Sequence, residues 1–524
     1  MTNFGPRTDG LVSVFVLALS VSGLCGCTAL LRGRAALEPP AQVGVDCANA
    51  LVVGIHWAAP DRPGIVSFDI SRDGMIIGRT AELFFTDLSV AARNHYSYSV
   101  SAVDRWGNKA TALPIEVDTP AASAQGDAPY CASLMLASVS FDWSLGYTQA
   151  NGSDLWPVTW GLDGHVYAFF GDGGGIGGDN YRGRASFGIA SFTAPPPVTP
   201  STAYNVYGGY QAAYPAHIYG KASAISAIGN NFYTLGGIYN DSDLAKKPTH
   251  LSGSPDRVQL AYSIGNAHSW QAAPWIFCRP NEREPDPSAG NFCPLGFVNF
   301  GRGNGGSRDK YVYLVGGPNE KSFWSNEPES VPAYTYLARV PESQLLRQRA
   351  YRFYSGVDRH GKPRWDGHST YMQPIFIDAN SRQPGCGGIC DMTSGLGEIT
   401  YDFGLHRYLG IAQGAYVGQT SFYEAPEPWG PWRVIQYNNI DPVDGGGGWA
   451  RLGTKAGGSL GVHIVNAWTS PDGLSLWLSY SSDGVAPQDS AFPPAGTSMD
   501  SLNLVSAHLT LSSAAARGAG IPIH

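Results

Sequence analysis

Across 524 residues, no long stretch repeats apolar side chains at i, i+3, i+4 and i+7, the spacing an amphipathic helix needs to bury one face. Short runs of β-branched and aromatic residues recur instead, cut by Gly, Pro, Asn and Asp, which is how strands and tight turns read. Composition supports this: 66 glycines and 12% aromatic residues stand against only 15% charged ones. Tyr96, Tyr98 and Val100 fall on one side of an extended segment, with Ser97, Ser99 and Ser101 on the other, a period of two. The chain is therefore expected to be all-β. Helical character is confined to the short segment Pro341–Arg349. The length exceeds one small core, so several domains or one large repeat fold are expected.

The order of punctuation divides the chain. Residues 45–119 form one alternating unit, and the Ala/Ser/Pro-rich stretch 120–129 reads as a linker. In the unit, Trp57 is followed by Pro60, then Phe68-Asp69-Ile70-Ser71-Arg72-Asp73-Gly74 and Phe85-Thr86-Asp87. Tyr96-Ser97-Tyr98-Ser99-Val100-Ser101-Ala102-Val103-Asp104 and Gly107-Asn108 complete it. This resembles a fibronectin type III domain, with its buried Trp, hairpin turn, Tyr-rich strand and final turn. The resemblance implies a β-sandwich acting as a spacer. Residues 130–512 repeat a strand theme in five units, Trp156 to Phe192, Ala222 to Ile276, Tyr311 to Tyr354, Ile399 to Val434 and Val462 to Leu511. Five units of roughly 40–60 residues point to a five-bladed β-propeller. Residues 513–524 read as a loose tail.

The N-terminus carries Arg7, an apolar run from Leu11 to Leu24, and then Leu24-Cys25-Gly26-Cys27. That is the layout of a secretory signal, and the run is shorter than the roughly 20 apolar residues a spanning helix needs. Leu24-Cys25-Gly26-Cys27 also resembles the bacterial lipobox. The resemblance implies a signal peptide over 1–26, lipidation at Cys27 and a tether over 27–44, which anchors the protein to the cell envelope on its extracytoplasmic side. An ordinary cleaved signal is the alternative. The net charge of −8, with no Lys/Arg run, argues against nucleic acid as a partner. The expected partners are a polysaccharide substrate and the membrane, with the protein itself a monomer. Six cysteines remain beyond Cys25 and Cys27, an even number that suits disulfides in an oxidising compartment. Local pairing gives Cys278–Cys293 and Cys386–Cys390, leaving Cys47–Cys131 to clasp the first domain. No CxxC pair or His-x-x-x-His spacing supports zinc.

One segment carries the chemistry. Asp163-Gly164 is a hairpin turn between strands. A hairpin centred on Asp163 sets Asp154 opposite Asp172 at its open end, where facing Cβ atoms lie about 4.5–5.5 Å apart. Two carboxylates that close repel, so one is expected to hold its proton while the other stays ionised. Glycoside hydrolysis uses that division. A turn cap at Asp154 and a loop start at Asp172 is the bland alternative. Trp156-Pro157-Val158-Thr159-Trp160 and Phe170-Gly171-Asp172-Gly173 resemble the first blade of propellers in the domain-of-unknown-function 4185 group. Arg308-Asp309-Lys310-Tyr311-Val312-Tyr313, Tyr336-Leu337-Ala338-Arg339-Val340-Pro341 and Glu424-Ala425-Pro426-Glu427-Pro428-Trp429-Gly430-Pro431-Trp432 extend the likeness. That group includes endo-acting D-arabinan hydrolases, and the resemblance implies catalysis by Asp154 and Asp172. The chain departs from it at Gly173, where those hydrolases commonly have Thr, and in its long Gly-rich loop.

Further candidates surround the pair. Glu398 is a second choice of general acid; Lys221 and Arg308 are candidate substrate-binding cations near the propeller axis, with an ordinary salt bridge as the alternative. Trp156 and Trp160 offer a sugar-stacking face or core packing, and Glu424 and Glu427 are expected to fix a strand and turn. Gly173 to Gly178 fits GxGxxG without the surrounding βαβ unit a dinucleotide site needs. No cofactor is required, although Asp172, Asp179 and Asn180 offer oxygen ligands suited to calcium. The expected function is a surface-anchored, endo-acting glycoside hydrolase, with arabinan-type polymers as one candidate substrate. A non-catalytic glycan- or protein-binding propeller is the alternative.

Overall fold

The computed structural model describes residues 36–60, 64–123, 127–197, 199, 201–240, 257–279, 290–318, 333–358, 360–378, 395–413, 420–437, 459–482 and 501–518. Cys25, Cys27, Cys386 and Cys390 lie outside these residues. The described chain is all-β apart from short 3-10 turns and one helical turn near its end. The expected helical stretch at Pro341–Arg349 resolves into two 3-10 turns, Glu342–Gln344 and Gln348–Ala350. Part of the segment read as a loose tail is instead helical, at Ser513–Gly518.

The first domain is a sandwich. One sheet joins Ala41–Ala48, Val53–Ala58 and Phe84–Asp87; the other joins Met75–Thr80, Ile65–Arg72, His95–Asp104, Lys109–Thr111 and Ile115–Asp118. Arg72 pairs with Met75, so Asp73-Gly74 is a two-residue turn. Both turn residues have positive φ, 50° and 81°, matching the twist of the flanking strands. Trp57, Tyr98 and Val100 are buried in the core, Trp57 edge-on to Phe68 at 5.3 Å. Among the described residues, a disulfide and a buried ion pair fix the domain to the rest of the chain. Cys47–Cys131 crosses the linker, and Arg433 reaches back to Asp46 at 2.7 Å.

Beyond the linker the described strands form five antiparallel groups, called sheets I to V, of which III and IV are joined by a short parallel pairing of Val298 with Ile399 and Asn299 with Thr400. Sheet I is Asp154–Trp160, Val166–Gly171, Gly188–Phe192 and Ala203–Tyr207; sheet II is Ile218–Ile228, Asn231–Asn240, Val258–Ser263 and Gln271–Cys278. Sheet III starts with Phe292–Asn299, Tyr311–Pro318 and Ala333–Pro341, and both Arg352–Val357 and Pro374–Asp378 pair with its third strand. Sheet IV is Gly395–Asp402, Arg407–Gln413, Thr420–Ala425 and Arg433–Gln436. Sheet V joins Ser459–Ile464, Ser475–Ser482 and Leu502–Leu511 to Leu136–Gln149.

The first strands of these sheets touch in the cyclic order I, II, III, IV, V and back to I. All five contribute residues to one central cavity, including Val158, Ser226, Phe297, Glu398 and His463. The five groups thus close into a ring about that cavity, the arrangement expected of five repeated units. Leu136–Gln149 lies at the start of the ring in sequence and completes its last sheet, so the ring closes by pairing rather than by packing alone. The repeat units expected from the sequence begin too late. The third starts at Phe292 rather than Tyr311, and the fifth borrows its outer strand from before the first. Cys278–Cys293 ties the last strand of sheet II to the first of sheet III.

Candidate active site

Asp154 begins the first strand of sheet I, and Asp172 directly follows the second, Val166–Gly171. The expected register needs a correction. Asp154 pairs with Gly171, Leu155 with Phe170, and then Val158 with Ala168, with a bulge between Leu155 and Val158. The extra residue shifts the open end by one position, so the two aspartates are not direct cross-strand partners. They still meet, through a third group. Lys221 Nζ lies 2.6 Å from Asp154 Oδ2 and 2.6 Å from Asp172 Oδ2. The two Oδ2 atoms are therefore within about 5.2 Å of each other, twice that distance.

Lys221 sits inside the first strand of sheet II, Ile218–Ile228, one step around the ring from Asp154. Its side chain is only 12% exposed, against 5% for Asp154 and 23% for Asp172. Burial pushes the Asp154 carboxyl above the ordinary carboxylate value; the Lys221 ammonium opposes this and the Asp172 charge adds to it. For Lys221, burial disfavours the charge, but Asp154 and Asp172 outweigh it and hold the ammonium above its usual value. Asp154 Oδ1 is buried and receives no hydrogen bond from another residue among those described. A buried, unpaired carboxylate oxygen is costly unless it carries a proton.

The backbone around the pair is strained. Leu155, Trp156 and Asp172 all have positive φ, 79°, 55° and 63°, at about 1–3 kcal/mol each for non-glycine residues. The surroundings hold them there. Trp156 is fully buried, stacks on Phe170 at 5.3 Å and donates its indole N–H to Ser153 O at 2.8 Å. Ser479 of sheet V donates to Trp156 O at 3.0 Å. Trp156 is thus a core residue that shapes the bulge and offers no face to a ligand. Gly173 has a local reason as well. A Cβ there would come 2.3 Å from Ser153 Oγ and 2.4 Å from the Gly152 carbonyl, so this loop path excludes the Thr of the resembled hydrolases.

Other candidates are placed elsewhere. Trp160 ends the same strand, roughly 20 Å from Asp154 at the usual rise per residue. Arg308 lies in the turn between the first two strands of sheet III. It donates to Tyr408 Oη at 2.9 Å and to Glu427 at 2.6 Å, at the turn end of the ring rather than beside the aspartates. Glu398 does face the central cavity. Its carboxylate is taken up by His463 Nδ1 at 2.5 Å, Thr400 Oγ1 at 2.9 Å and the Ile464 N–H at 3.0 Å, so it braces sheets IV and V together. Glu424 receives a hydrogen bond from Ser133 at 2.8 Å and pairs with Arg407 at 3.2 Å.

The calcium set does not assemble. Asp179 accepts the Tyr181 and Arg182 N–H groups and pairs with the Arg182 side chain at 2.9 Å, which pulls it down to about 2. Asp172 is held by Lys221 instead. Among the described residues no group of three or more His, Cys, Asp or Glu could hold a metal ion. Sequence reasoning misses Arg184, whose guanidinium lies 3.8 Å from Asp172 Oδ1. The only signal is its position in the loop that begins at Asp172.

No family model matches this chain. An alpha-amylase of Niallia circulans is 37% identical over 70 residues, 13% of this chain and 5% of the amylase. Among solved structures, the family 28 exopolygalacturonase of Yersinia enterocolitica matches at 18% identity over 16% of this chain and 20% of that one, with a TM-score of 0.16. The FN5 domain of Drosophila Lar matches at 22% identity over 16% of this chain and 96% of that one, with a TM-score of 0.14. The chain thus spans a small part of either enzyme.

Proposed function

We propose that this protein is a glycoside hydrolase that cleaves a polysaccharide at the mouth of the ring, using Asp154 and Asp172. The observation that carries this reading is the Asp154–Lys221–Asp172 cluster, one carboxyl buried and the other partly open to solvent, bridged by one ammonium group. Asp154, raised by burial, is the general acid. Asp172, nearer solvent, is the carboxylate that attacks the anomeric carbon.

In the first step the Asp154 proton passes to the leaving oxygen as the glycosidic C–O bond breaks, and Asp172 forms a new bond to the anomeric carbon. In the second, water gives its proton to Asp154 and its oxygen to that carbon, which frees Asp172. A separation within about 5.2 Å fits the roughly 5–5.5 Å of retaining enzymes better than the 6.5–9.5 Å of inverting ones. Lys221 holds both carboxyls in place before substrate binds.

The short stretch of likeness to an alpha-amylase is compatible with a glycan substrate without selecting one. The test is a screen of polysaccharides, arabinans included, against wild type, Asp172→Asn and Asp154→Asn, with product anomers followed by NMR. Cleavage that releases the retained anomer and is lost in both variants is expected. Cleavage that survives Asp172→Asn refutes the assignment, and glycan binding without cleavage by the wild type favours a binding propeller. The lipid anchor at Cys27 is proposed alongside: fatty-acid labelling that is unchanged in Cys27→Ala would remove it.

A further inference from the structure

Lys221 and Arg184 stand close to the candidate carboxylates, Arg182 lies in the same loop as Arg184, and the three differ in how far they are engaged. Lys221 makes two contacts at 2.6 Å. Arg182 pairs with Asp179 at 2.9 Å and lies over the Tyr210 ring at 5.0 Å. Arg184 has neither. Among the described residues it reaches Asn180 O at 3.5 Å, Asn180 Oδ1 at 3.4 Å and Asp172 Oδ1 at 3.8 Å, all longer than the usual 2.7–3.2 Å of an N–H···O bond. Its side chain is 52% exposed. A guanidinium has five donors in a rigid fork, and here that fork lies beside the reacting carboxylate with its donors loosely used.

The position is built, not incidental. The loop from Asp172 to Phe187 is pinned to the outer strand of sheet I: the two Nδ2 protons of Asn205 are shared among Gly174 O, Ile176 O and Tyr210 O at 2.8–3.0 Å. Ala185 N–H closes back on Gly173 O at 3.0 Å. Gly183, with φ of 75°, passes so close to Tyr210 that a Cβ would meet its backbone at 2.3 Å. Arg184 comes directly after it. The local charge also departs from that of the whole molecule. Even with both carboxyls ionised, Lys221 and Arg184 balance Asp154 and Asp172, in a chain of net charge −8. An anionic polymer approaching an acidic protein is repelled except where cations gather, and a guanidinium fork matches a carboxylate or phosphate in two parallel hydrogen bonds.

We propose that Arg184 is a substrate-binding residue that selects a sugar carrying an anionic group, carboxylate or phosphate, next to the bond addressed by Asp154 and Asp172. The inference rests on the reading of those aspartates as the active site and names the substrate class for it. Neutral sugars would bind the same mouth without the fork.

The experiment measures binding of full-length wild type, Arg184→Gln and Arg184→Lys by calorimetry. The probes are polygalacturonate oligomers, the same oligomers with carboxylates reduced to alcohols, a phosphate-bridged glycan oligomer and a linear arabinan. Wild type is expected to bind one of the anionic oligomers at least tenfold more tightly than the neutral ones, and which one identifies the anion. Arg184→Gln should lose about tenfold on that oligomer only, in line with a lost charge-assisted hydrogen-bond pair. Arg184→Lys should recover part of the loss, and thermal midpoints should match wild type because the side chain is exposed. A wild type with no preference for either anionic oligomer, or an Arg184→Gln protein that keeps the preference, overturns the proposal. The two readings fail separately. An Arg184-dependent preference without hydrolysis sinks only the catalytic assignment, and hydrolysis indifferent to Arg184 sinks only this one.

Discussion

The two ends of the ring's inner strands handle their charged groups differently. At the turn end, exposed charges find ordinary partners: Arg308 in Tyr408 and Glu427, Arg302 in Leu162 O at 2.8 Å, Asp163 in the Tyr167 hydroxyl at 2.7 Å. At the open end of the first hairpin, Leu155, Trp156 and Asp172 hold positive φ, a carboxylate oxygen is buried with no partner among the described residues, and one lysine is wedged between two aspartates. Each of those features costs folding free energy. The turn end also has positive φ, at Asn304, Lys310 and His406, and buried atoms unpaired among the described residues, such as Trp160 Nε1 and Asn304 Oδ1. What sets the open end apart is the buried lysine clamped between two carboxyls on rigid strands, the kind of arrangement that marks a site for chemistry. The two ends also differ in exposure: the Arg308 side chain is 53% exposed against 12% for Lys221.

The largest expected effect tests the open end directly. Asp154→Asn and Asp172→Asn should each lower the hydrolysis rate by about 10²–10⁴-fold, the usual contribution of a positioned acid or base, with initial rates on the cleaved glycan as the measurement. The pH profile separates the roles. Asp154 must be protonated to act as acid, and burial raises it, so activity should fall as pH rises through that raised value. Stability follows the same group. A carboxyl whose folded value lies above its unfolded value binds more protons when folded, so its stabilising effect is fully present below the unfolded value and lost as pH rises through the folded one. Denaturant melts of Asp154→Asn should lack that slope. An unchanged slope would mean that the open end carries no such carboxyl.

Next in size is Lys221→Met. Removing the partner of a buried carboxylate typically costs about 3–5 kcal/mol, because Asp154 and Asp172 are then left facing each other. Chemical denaturation at neutral pH should show that loss, and acidifying the sample should recover much of it by protonating the carboxyls. A Lys221→Met protein as stable as wild type would erase the contrast between the two ends.

Much of this contrast is legible in the sequence, and the illegible part has a physical cause. Strand periodicity, turn residues and five repeated units give an all-β ring behind a sandwich, because side-chain alternation and Gly/Pro punctuation are local. The pairing of Leu136–Gln149 with Leu502–Leu511 is not local and has no signature in either segment. Asp154 and Asp172 stand out because a hairpin links them within 18 positions of sequence. The bulge after Leu155 does not, since it arises from how Trp156 packs. The geometry keeps Lys221 beside the pair and removes Arg308, although both are expected from the sequence to lie near the axis. Sequence distance cannot tell that one lies inside a strand at the open end and the other in a turn at the far end.

The smallest expected effect is the one that confirms the turn end as mere scaffold. Arg308→Met removes an ion pair with Glu427 whose side chains are 53% and 30% exposed. Solvent screening limits such a pair to about 0–1 kcal/mol. Arg308 also lies over the Tyr401 and Tyr408 rings at 5.8 and 5.7 Å, and the methionine side chain keeps part of that packing. Burial raises Glu427, and the Arg308 charge opposes the rise, so the variant should leave Glu427 easier to protonate and lose its small deficit as pH falls. The thermal midpoint should drop by no more than a few degrees and the hydrolysis rate should stay within about twofold of wild type. A larger loss of rate with an intact fold would show that the far end of the inner strands reports to Asp154 and Asp172 through the sheets, and the two ends would then have to be treated as one device.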